Sequence, residues 1–481
     1  MKPVSKPIPD PIGDGPRSPV AAGGVAVIGA GAIGLSVARR LAEAGRSVTV
    51  YERESLVGGQ AAGFEVEPGV WLERFYHHAF KSDHVLRRSY ADLEPAGAPS
   101  GAPSGAPSGG RSGGLSGGRS GGRSGGLSWA HPLTATLLQG EIWQLDSPIS
   151  LLRFRQLPLL DRLRMGATLA ALRILPRGGL LEGRAAGPWL RRWMGRASYD
   201  RIWRPLFEGK FGAAAEEVAL PWFWARVHDR TSALGYPPGG FQPFYEALAE
   251  RVRAAGGTIR LNTAVESLER SGNGYDVHFR DGGGRSATAH HEAVISTLPS
   301  HDTAGLASEL PDSWRTRYAS VPAQTAHCLI LALDRPLTDS YWLNVNDPGH
   351  PFVVVVEHTN LRSPAEYGGR HLVYLGSYRD SADPLLRLSA SQLVDAFVPH
   401  LARINPTFDG SWITDRWLFT ARDAQPIVGT DFRDRIPPFE TPLPGLFVAT
   451  IAQVYPHDRG QNYAIRLGER LAARLLEPGR S

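Results

Sequence analysis

Gly29, Gly31, Gly34 and Glu52 carry the clearest chemistry in this sequence. The run Gly29-Ala30-Gly31-Ala32-Ile33-Gly34 reads as G-x-G-x-x-G. Gly29 suits a tight turn, Gly31 leaves the backbone open to a pyrophosphate, and Gly34 lets a helix sit close to a strand. A helix beginning there turns free N–H groups and the positive end of its dipole toward phosphates, with Ala30 and Ile33 in the same cradle. Glu52 stands where a carboxylate can accept hydrogen bonds from a ribose. The chemistry expected is dinucleotide binding.

The elements that must position these residues are written around them. Val25–Ile28 is a short apolar run, the pattern of a buried parallel strand. Ile33, Val37, Leu41 and Ala44 share one face of a predicted helix, Ile33–Ala44, and Gly45 fits its C-terminal stop. Ser47–Tyr51 reads as a second strand that ends at Glu52.

Downstream, Glu52 is followed by Arg53 and then Gly58-Gly59-Gln60. This resembles the E-x(5)-G-G extension of the glutathione-reductase-like flavoproteins, in which the added glycines let the chain pass close to the FAD pyrophosphate and ribityl chain. The resemblance groups Arg53, Gly58, Gly59 and Gln60 with the cofactor and implies FAD rather than NAD.

The chain has 481 residues, 42% hydrophobic, with a net charge of +5. That is enough for two intertwined domains with full cores. The basic excess is mostly arginine, and no nucleic-acid-binding motif stands out, so no nucleic-acid partner is expected. The lone cysteine, Cys328, lies in an apolar run and reads as a buried thiol; no C-x-x-C exists for dithiol chemistry. No cluster with metal-ligand spacing is apparent. Residues 1–23 hold six prolines and no apolar leader core, and read as a disordered tail. No run reaches the ~18–20 apolar residues of a membrane span. The expected compartment is the cytoplasm, and oligomeric state is left open.

Domain boundaries follow from composition. Residues 24–92 are the first piece of the nucleotide domain. Residues 95–128 are a degenerate four-residue repeat of Gly, Ala, Pro, Ser and Arg, expected to form a flexible surface insert. Residues 129–235 are expected to form a helical part of a substrate domain. Its stretch 148–176 is helical, broken near Pro158, with two readings: a core-facing helix pair, or a basic amphipathic surface touching membrane or a lipid-linked substrate. Residues 236–300 return to the nucleotide domain, 301–420 supply a sheet to the substrate domain, and 421–481 close the nucleotide domain. The fold class expected is α/β, a Rossmann-like FAD-binding domain interleaved with a mixed α+β substrate domain.

Three stretches resemble the flavin amine oxidase, protoporphyrinogen oxidase and phytoene desaturase group: the N-terminal fingerprint, Tyr236-Pro237-Pro238-Gly239-Gly240-Phe241 with the segment after it, and the closing Leu446–Thr450 with Asp458-Arg459-Gly460-Gln461-Asn462. The resemblance implies that Val265 lies at the adenine end of FAD and that Thr297 follows a strand bordering the flavin domain. It implies that the helix N-terminus at Gly460–Asn462 points at the flavin edge, where a dipole stabilises negative charge on the reduced ring. Where many relatives carry Gly-Asp this chain has Ala449-Thr450, leaving Asp458 or Arg459 to supply the polar contact. Glu73–Ser82 resembles a stretch of UDP-galactopyranose mutases whose matching histidine, His78 here, lies near the flavin; the other reading makes His77 and His78 satisfied polar groups at a strand end.

No second G-x-G-x-x-G marks an NAD(P)H domain. The favoured chemistry is therefore hydride removal from a C–N or C–C bond of a small or lipid-like substrate, with His78, Lys210, Tyr455 and Arg459 as candidate catalytic groups. The alternatives are a non-redox flavoenzyme acting on a nucleotide sugar and a flavin-binding scaffold without turnover.

Overall fold

A computed structural model of the chain describes residues 24–93, 121–124 and 126–477. The expected tail, 1–23, and most of the repeat, 95–120, lie outside them. At the centre is a parallel five-stranded sheet, ordered Thr258–Arg260, Val48–Tyr51, Val25–Ile28, Ala293–Ser296, Leu446–Val448. Three separated stretches of chain thus build one sheet. Both faces are covered, which is why the strands Val25–Ile28, Ala293–Ser296 and Leu446–Val448 are buried along their whole length, while the edge strand Thr258–Arg260 is not. Helices Ala32–Glu43, Gln242–Ala254 and Gln461–Leu476 pack on one side. A three-stranded antiparallel sheet over 264–291 packs with the other. The first and last helices meet so closely that a Cβ on Gly468 would lie 2.5 Å from the Ile33 carbonyl oxygen.

The second body is a seven-stranded sheet, ordered 413–426, 323–333, 371–379, 354–357, 342–345, 134–138, 141–144. The strand Ala323–Leu333, which carries Cys328, is buried almost throughout. Helix Ala390–Ile404 covers one face, and Phe64, Phe75 and Tyr76 pack against the other. A third cluster, held by Trp222, Phe223, Trp224, Phe207 and Phe211, gathers the helices between 148 and 229.

Two boundaries need correction. The repeat does not run as an insert to 128: Gly121–Ser124 and Leu127–Ala130 are strands joined to Leu234–Tyr236 and Ala79–Phe80, because Leu127 and Trp129 alternate into the core. Residues 129–235 are not helical from their start either. Thr134–Leu138 and Glu141–Gln144 form a hairpin of the large sheet, fixed by parallel pairing of Thr134–Leu137 with Trp342–Val345. The expected helix pair is present as Pro148–Arg153 and Leu159–Ile174, parted at Pro158.

Candidate functional site

The glycine turn is built as its spacing requires. Gly29 adopts φ +101°, and a Cβ there would stand 2.5 Å from Thr297 Oγ1. Thr297 closes the turn from below by donating from Oγ1 to the Ile28 carbonyl at 2.8 Å. A Cβ on Gly34 would lie 1.9 Å from the Gly29 carbonyl oxygen, so only glycine lets helix and strand approach this far. Gly31 caps the helix N-terminus, Ile33 is buried in its first turn, and first-turn N–H groups have no acceptor within the helix.

The second glycine pair lies directly on the first. Gly58, with φ +113°, donates its N–H to the Ala30 carbonyl at 2.9 Å and bridges Gly31 in parallel. A Cβ on Gly59 would meet the Gly31 Cα at 3.1 Å. The result is a strip of backbone with no side chain on it, between a helix N-terminus and a short turn. A diphosphate and its polyol fit such a cradle, and side chains would fill it. Gln60, exposed, begins the exit from this strip.

Glu52 is buried at the end of its strand, where Oε2 accepts the Ala30 N–H at 2.7 Å and Oε1 the Glu54 N–H at 3.0 Å. It therefore fastens the glycine turn, with carboxylate lone pairs left for a ribose. The Thr263 N–H donates to the Glu52 carbonyl at 2.7 Å, which brings half-buried Val265 to the same end of the sheet. Arg53 points to solvent, its side chain 79% exposed and 3.5 Å from Glu54.

At the closing segment, Thr450 is buried and its N–H donates to Gln453 Oε1 at 2.7 Å. Gly460 precedes helix Gln461–Leu476. Gln461 Oε1 accepts from Tyr245 Oη at 2.6 Å, while its Nε2 is buried without a partner in the chain. That orphaned donor and the helix N-terminus suit the acceptor edge of a flavin. The Asn462 side chain faces elsewhere: its Oδ1 accepts the N–H groups of Val85 and Leu86 at 3.0 and 3.2 Å, capping helix His84–Leu93 across 376 residues of sequence.

The structure brings Lys210, Asp458 and Arg459 together. Lys210 Nζ lies 3.4 Å from Asp458 Oδ1, above the Trp222 ring. Burial and neighbouring guanidiniums, Arg226 foremost, push Lys210 well below the ordinary lysine range. Arg459 donates to Tyr378 Oη at 2.5 Å and to the Ala424 carbonyl. Tyr455 lines the same cleft as Trp222, Val428, His457 and Arg459, with its hydroxyl donating to Glu182 at 3.1 Å. His78 is hydrogen-bonded through Nδ1 to Tyr341 Oη at 3.0 Å and stacks edge-on with Phe80. Burial, with Arg230 and His77 nearby, lowers it to about 3, so it is a neutral imidazole at pH 7.

Several groups at this site escaped the sequence reading. Arg226 and Arg230 both reach Asp458; Trp222 and Arg226 share a face of helix Leu220–Asp229 by their i, i+4 spacing, and Arg230 follows as the extended residue that ends the helix. Asp229 accepts from Tyr463 Oη at 2.7 Å and pairs with His457, which stacks on Tyr463 at 4.3 Å. Glu73, buried under Tyr236 and the Phe241 N–H, is pushed up to about 7 by desolvation.

Comparison with known proteins agrees with this geometry. The 15-cis-phytoene desaturase of Synechococcus elongatus is 46% identical over 56 residues, 12% of either chain. Polyamine oxidase 4 of Oryza sativa subsp. japonica is 29% identical over 220 residues, 44% of this chain and 42% of that one. The matches therefore span an eighth and about two fifths of these curated relatives. Among solved structures, reduced UDP-galactopyranose mutase superposes with a TM-score of 0.68 at 15% identity, covering 96% of this chain and 98% of its own. A triple mutant of putrescine oxidase gives 0.66 at 16% identity, covering 94% and 98%. At such identities the likeness is one of fold. Residues 34–476 match the profile of the family described as flavin containing amine oxidoreductase, which agrees with FAD as the cofactor. With the double-glycine cradle in place and nearly the whole described chain matched, the chain belongs to the flavin containing amine oxidoreductase family.

Proposed function

We propose that the protein is an FAD-dependent oxidoreductase that removes a hydride from a C–N or C–C bond of a small or lipid-like substrate. The observation that carries this reading is the bare strip formed by Gly31 against Gly58 and Gly59, at the end of the sheet that also leads to the Gly460 helix. Bound flavin supplies the two-electron acceptor. The residues that would hold it are the backbone amides after Val25–Ile28 for the diphosphate, Glu52 for the ribose and the Gly460–Asn462 amides for the ring edge. Trp222, Val428, Val454 and Tyr455 give the adjoining cleft an apolar wall, alongside the polar Gln425, His457 and Arg459. His78 contributes a hydrogen bond rather than a charge, since burial keeps it neutral.

Lipid-like substrates are favoured by the helical region. The large apolar side chains that stand exposed among the described residues all fall between 133 and 193, with Leu160 65%, Leu163 53% and Ile174 81% exposed. Exposed Arg153, Arg155, Arg173 and Arg177 lie between them. Apolar side chains flanked by guanidiniums suit the surface of an anionic bilayer. No helix among the described residues is long and apolar enough to cross a membrane.

The test is an anaerobic screen of the purified protein for loss of oxidised-flavin absorbance against amines, isoprenoids, porphyrinogens and nucleotide sugars. Bleaching by a C–H hydride donor is expected. Protein that comes off the column colourless and takes up no added FAD overturns the reading. Tight UDP-sugar binding, with turnover only on reduced flavin, would replace it by the nucleotide-sugar alternative.

A further inference from the structure

Two guanidiniums and the Lys210 amine contact one carboxylate, Asp458, and a third guanidinium, Arg459, is adjacent to it. Arg226 is hydrogen-bonded to Asp458 Oδ2, Arg230 Nη2 lies 3.3 Å from the same oxygen, and Lys210 Nζ is 3.4 Å from Oδ1. Arg459, next in sequence, is close enough to act electrostatically on both Asp458 and Lys210. The nearby Asp229 offers these cations nothing, since His228, His457 and Tyr463 already occupy it. Tyr378 and Trp222 present ring faces, with Lys210 4.9 Å and Arg226 4.7 Å from the Trp222 centroid and Arg459 5.1 Å from Tyr378. A ring face is attractive to a cation but is no counter-ion.

The guanidiniums of Arg226, Arg230 and Arg459 outnumber that one carboxylate, whatever the protonation of Lys210, at a partly buried place where Arg230 is the most exposed of the contacting groups at 40%. The side chains of Lys210, Arg226 and Asp458 are 12%, 22% and 24% exposed. Buried charge of one sign is normally paired with the other. Of the four basic residues Arg459 lines the cleft that holds Val428, Val454 and Tyr455, and so does Trp222, whose ring face lies against Lys210 and Arg226; the basic cluster therefore borders the apolar wall.

We propose that Lys210, Arg226, Arg230 and Arg459 form a subsite for an oxyanion, a carboxylate or phosphate carried by the substrate, whose apolar part lies along the cleft. The inference rests on the flavin reading for the subsite's role in turnover, and it narrows the substrate class to amphiphiles with an acidic end. A diamine or polyamine would bring like charge to this wall and is excluded from it.

Calorimetric titration of the flavin-loaded full chain tests this with hexanoate, hexyl phosphate, inorganic phosphate and hexylammonium, with flavin absorbance recorded in parallel. The two organic anions should bind saturably and at least about tenfold more tightly than hexylammonium, as expected for charge-assisted hydrogen bonds. Hexyl phosphate should also bind more tightly than inorganic phosphate; equal affinity overturns the assignment to a substrate-borne group. Arg226→Gln should weaken the anions about tenfold. Asp458→Asn, which removes the competing carboxylate, should tighten them, and the distant Arg285→Gln should leave them unchanged. Equal or tighter hexylammonium binding, or an Asp458→Asn loss matching that of Arg226→Gln, overturns the proposal. If the variants fail to fold, the wild-type order of anion over ammonium decides it. Flavin-bearing protein indifferent to anions defeats the subsite alone; protein without flavin that binds them defeats the flavin reading alone.

Discussion

Gly59 rests on Gly31 so closely that a Cβ at Gly59 would stand 3.1 Å from the Gly31 Cα, in a residue whose φ is +58°. Neither steric room nor backbone conformation there accepts a side chain at no cost; the left-handed backbone alone costs about 1–2 kcal/mol for a non-glycine residue. Gly59→Ala should therefore fold with its sheet intact but hold FAD at least about tenfold more weakly. The ratio of flavin to protein absorbance after gel filtration, and reconstitution with added FAD, measure this. Full flavin occupancy would show that the strip is not the cradle.

Asn462 joins the last helix to the helix His84–Leu93 by accepting two of its first N–H groups. Replacing a capping asparagine by alanine costs about 0.5–2 kcal/mol. Asn462→Ala should lower the thermal midpoint while the protein still binds flavin. Loss of flavin with unchanged stability would instead assign the side chain to the cofactor.

His358 is buried against Tyr236, hydrogen-bonded to Tyr367 at 2.7 Å, and held down at about 3 by desolvation, with Arg362 adding to it. The folded protein keeps it neutral, whereas the unfolded chain takes up a proton below about 6.5. Its contribution is thus fully present above pH 6.5 and is lost as pH falls toward 3, about 2 kcal/mol by pH 5. His358→Phe should show a smaller drop in thermal midpoint between pH 7 and pH 5 than the wild type. An equal drop in both would sink this assignment.

Leu160 and Leu163 stand exposed on helix Leu159–Ile174. A leucine transferred from water to an apolar phase gains about 1.5–3 kcal/mol. The double change Leu160→Gln with Leu163→Gln should reduce co-sedimentation with phosphatidylglycerol vesicles at least about tenfold, with flavin content unchanged. Neutral phosphatidylcholine vesicles should bind the wild type less well, because the arginines find no anionic lipid there. Equal binding to both vesicle types, or an unaffected double variant, would remove the bilayer from the reading.

Much of the cofactor end was legible because its signals are local. Val25–Glu52 encodes strand, turn, helix, strand and acid within one short stretch, and the structure places each within a residue or two of its expected bounds. The closing helix, expected to begin at Gly460–Asn462 and found as Gln461–Leu476, was readable for the same reason. The strand Ile413–Pro426 was not, since it is an edge strand whose Asp415, Arg416, Arg422 and Asp423 interrupt any apolar pattern. The hairpin 134–144 was missed because its place depends on pairing with Trp342–Val345, some two hundred residues away.

By itself the sequence determined the nucleotide fold and the glycine strip, because periodicity and backbone sterics act over a few residues. Only the tertiary structure decided that Asp458 would gather Lys210, Arg226 and Arg230, that Asn462 would cap a distant helix, and that Leu160 would face outward. Those outcomes depend on which surfaces the folded chain buries against each other. Charges and caps separated by hundreds of residues leave no short-range pattern to read.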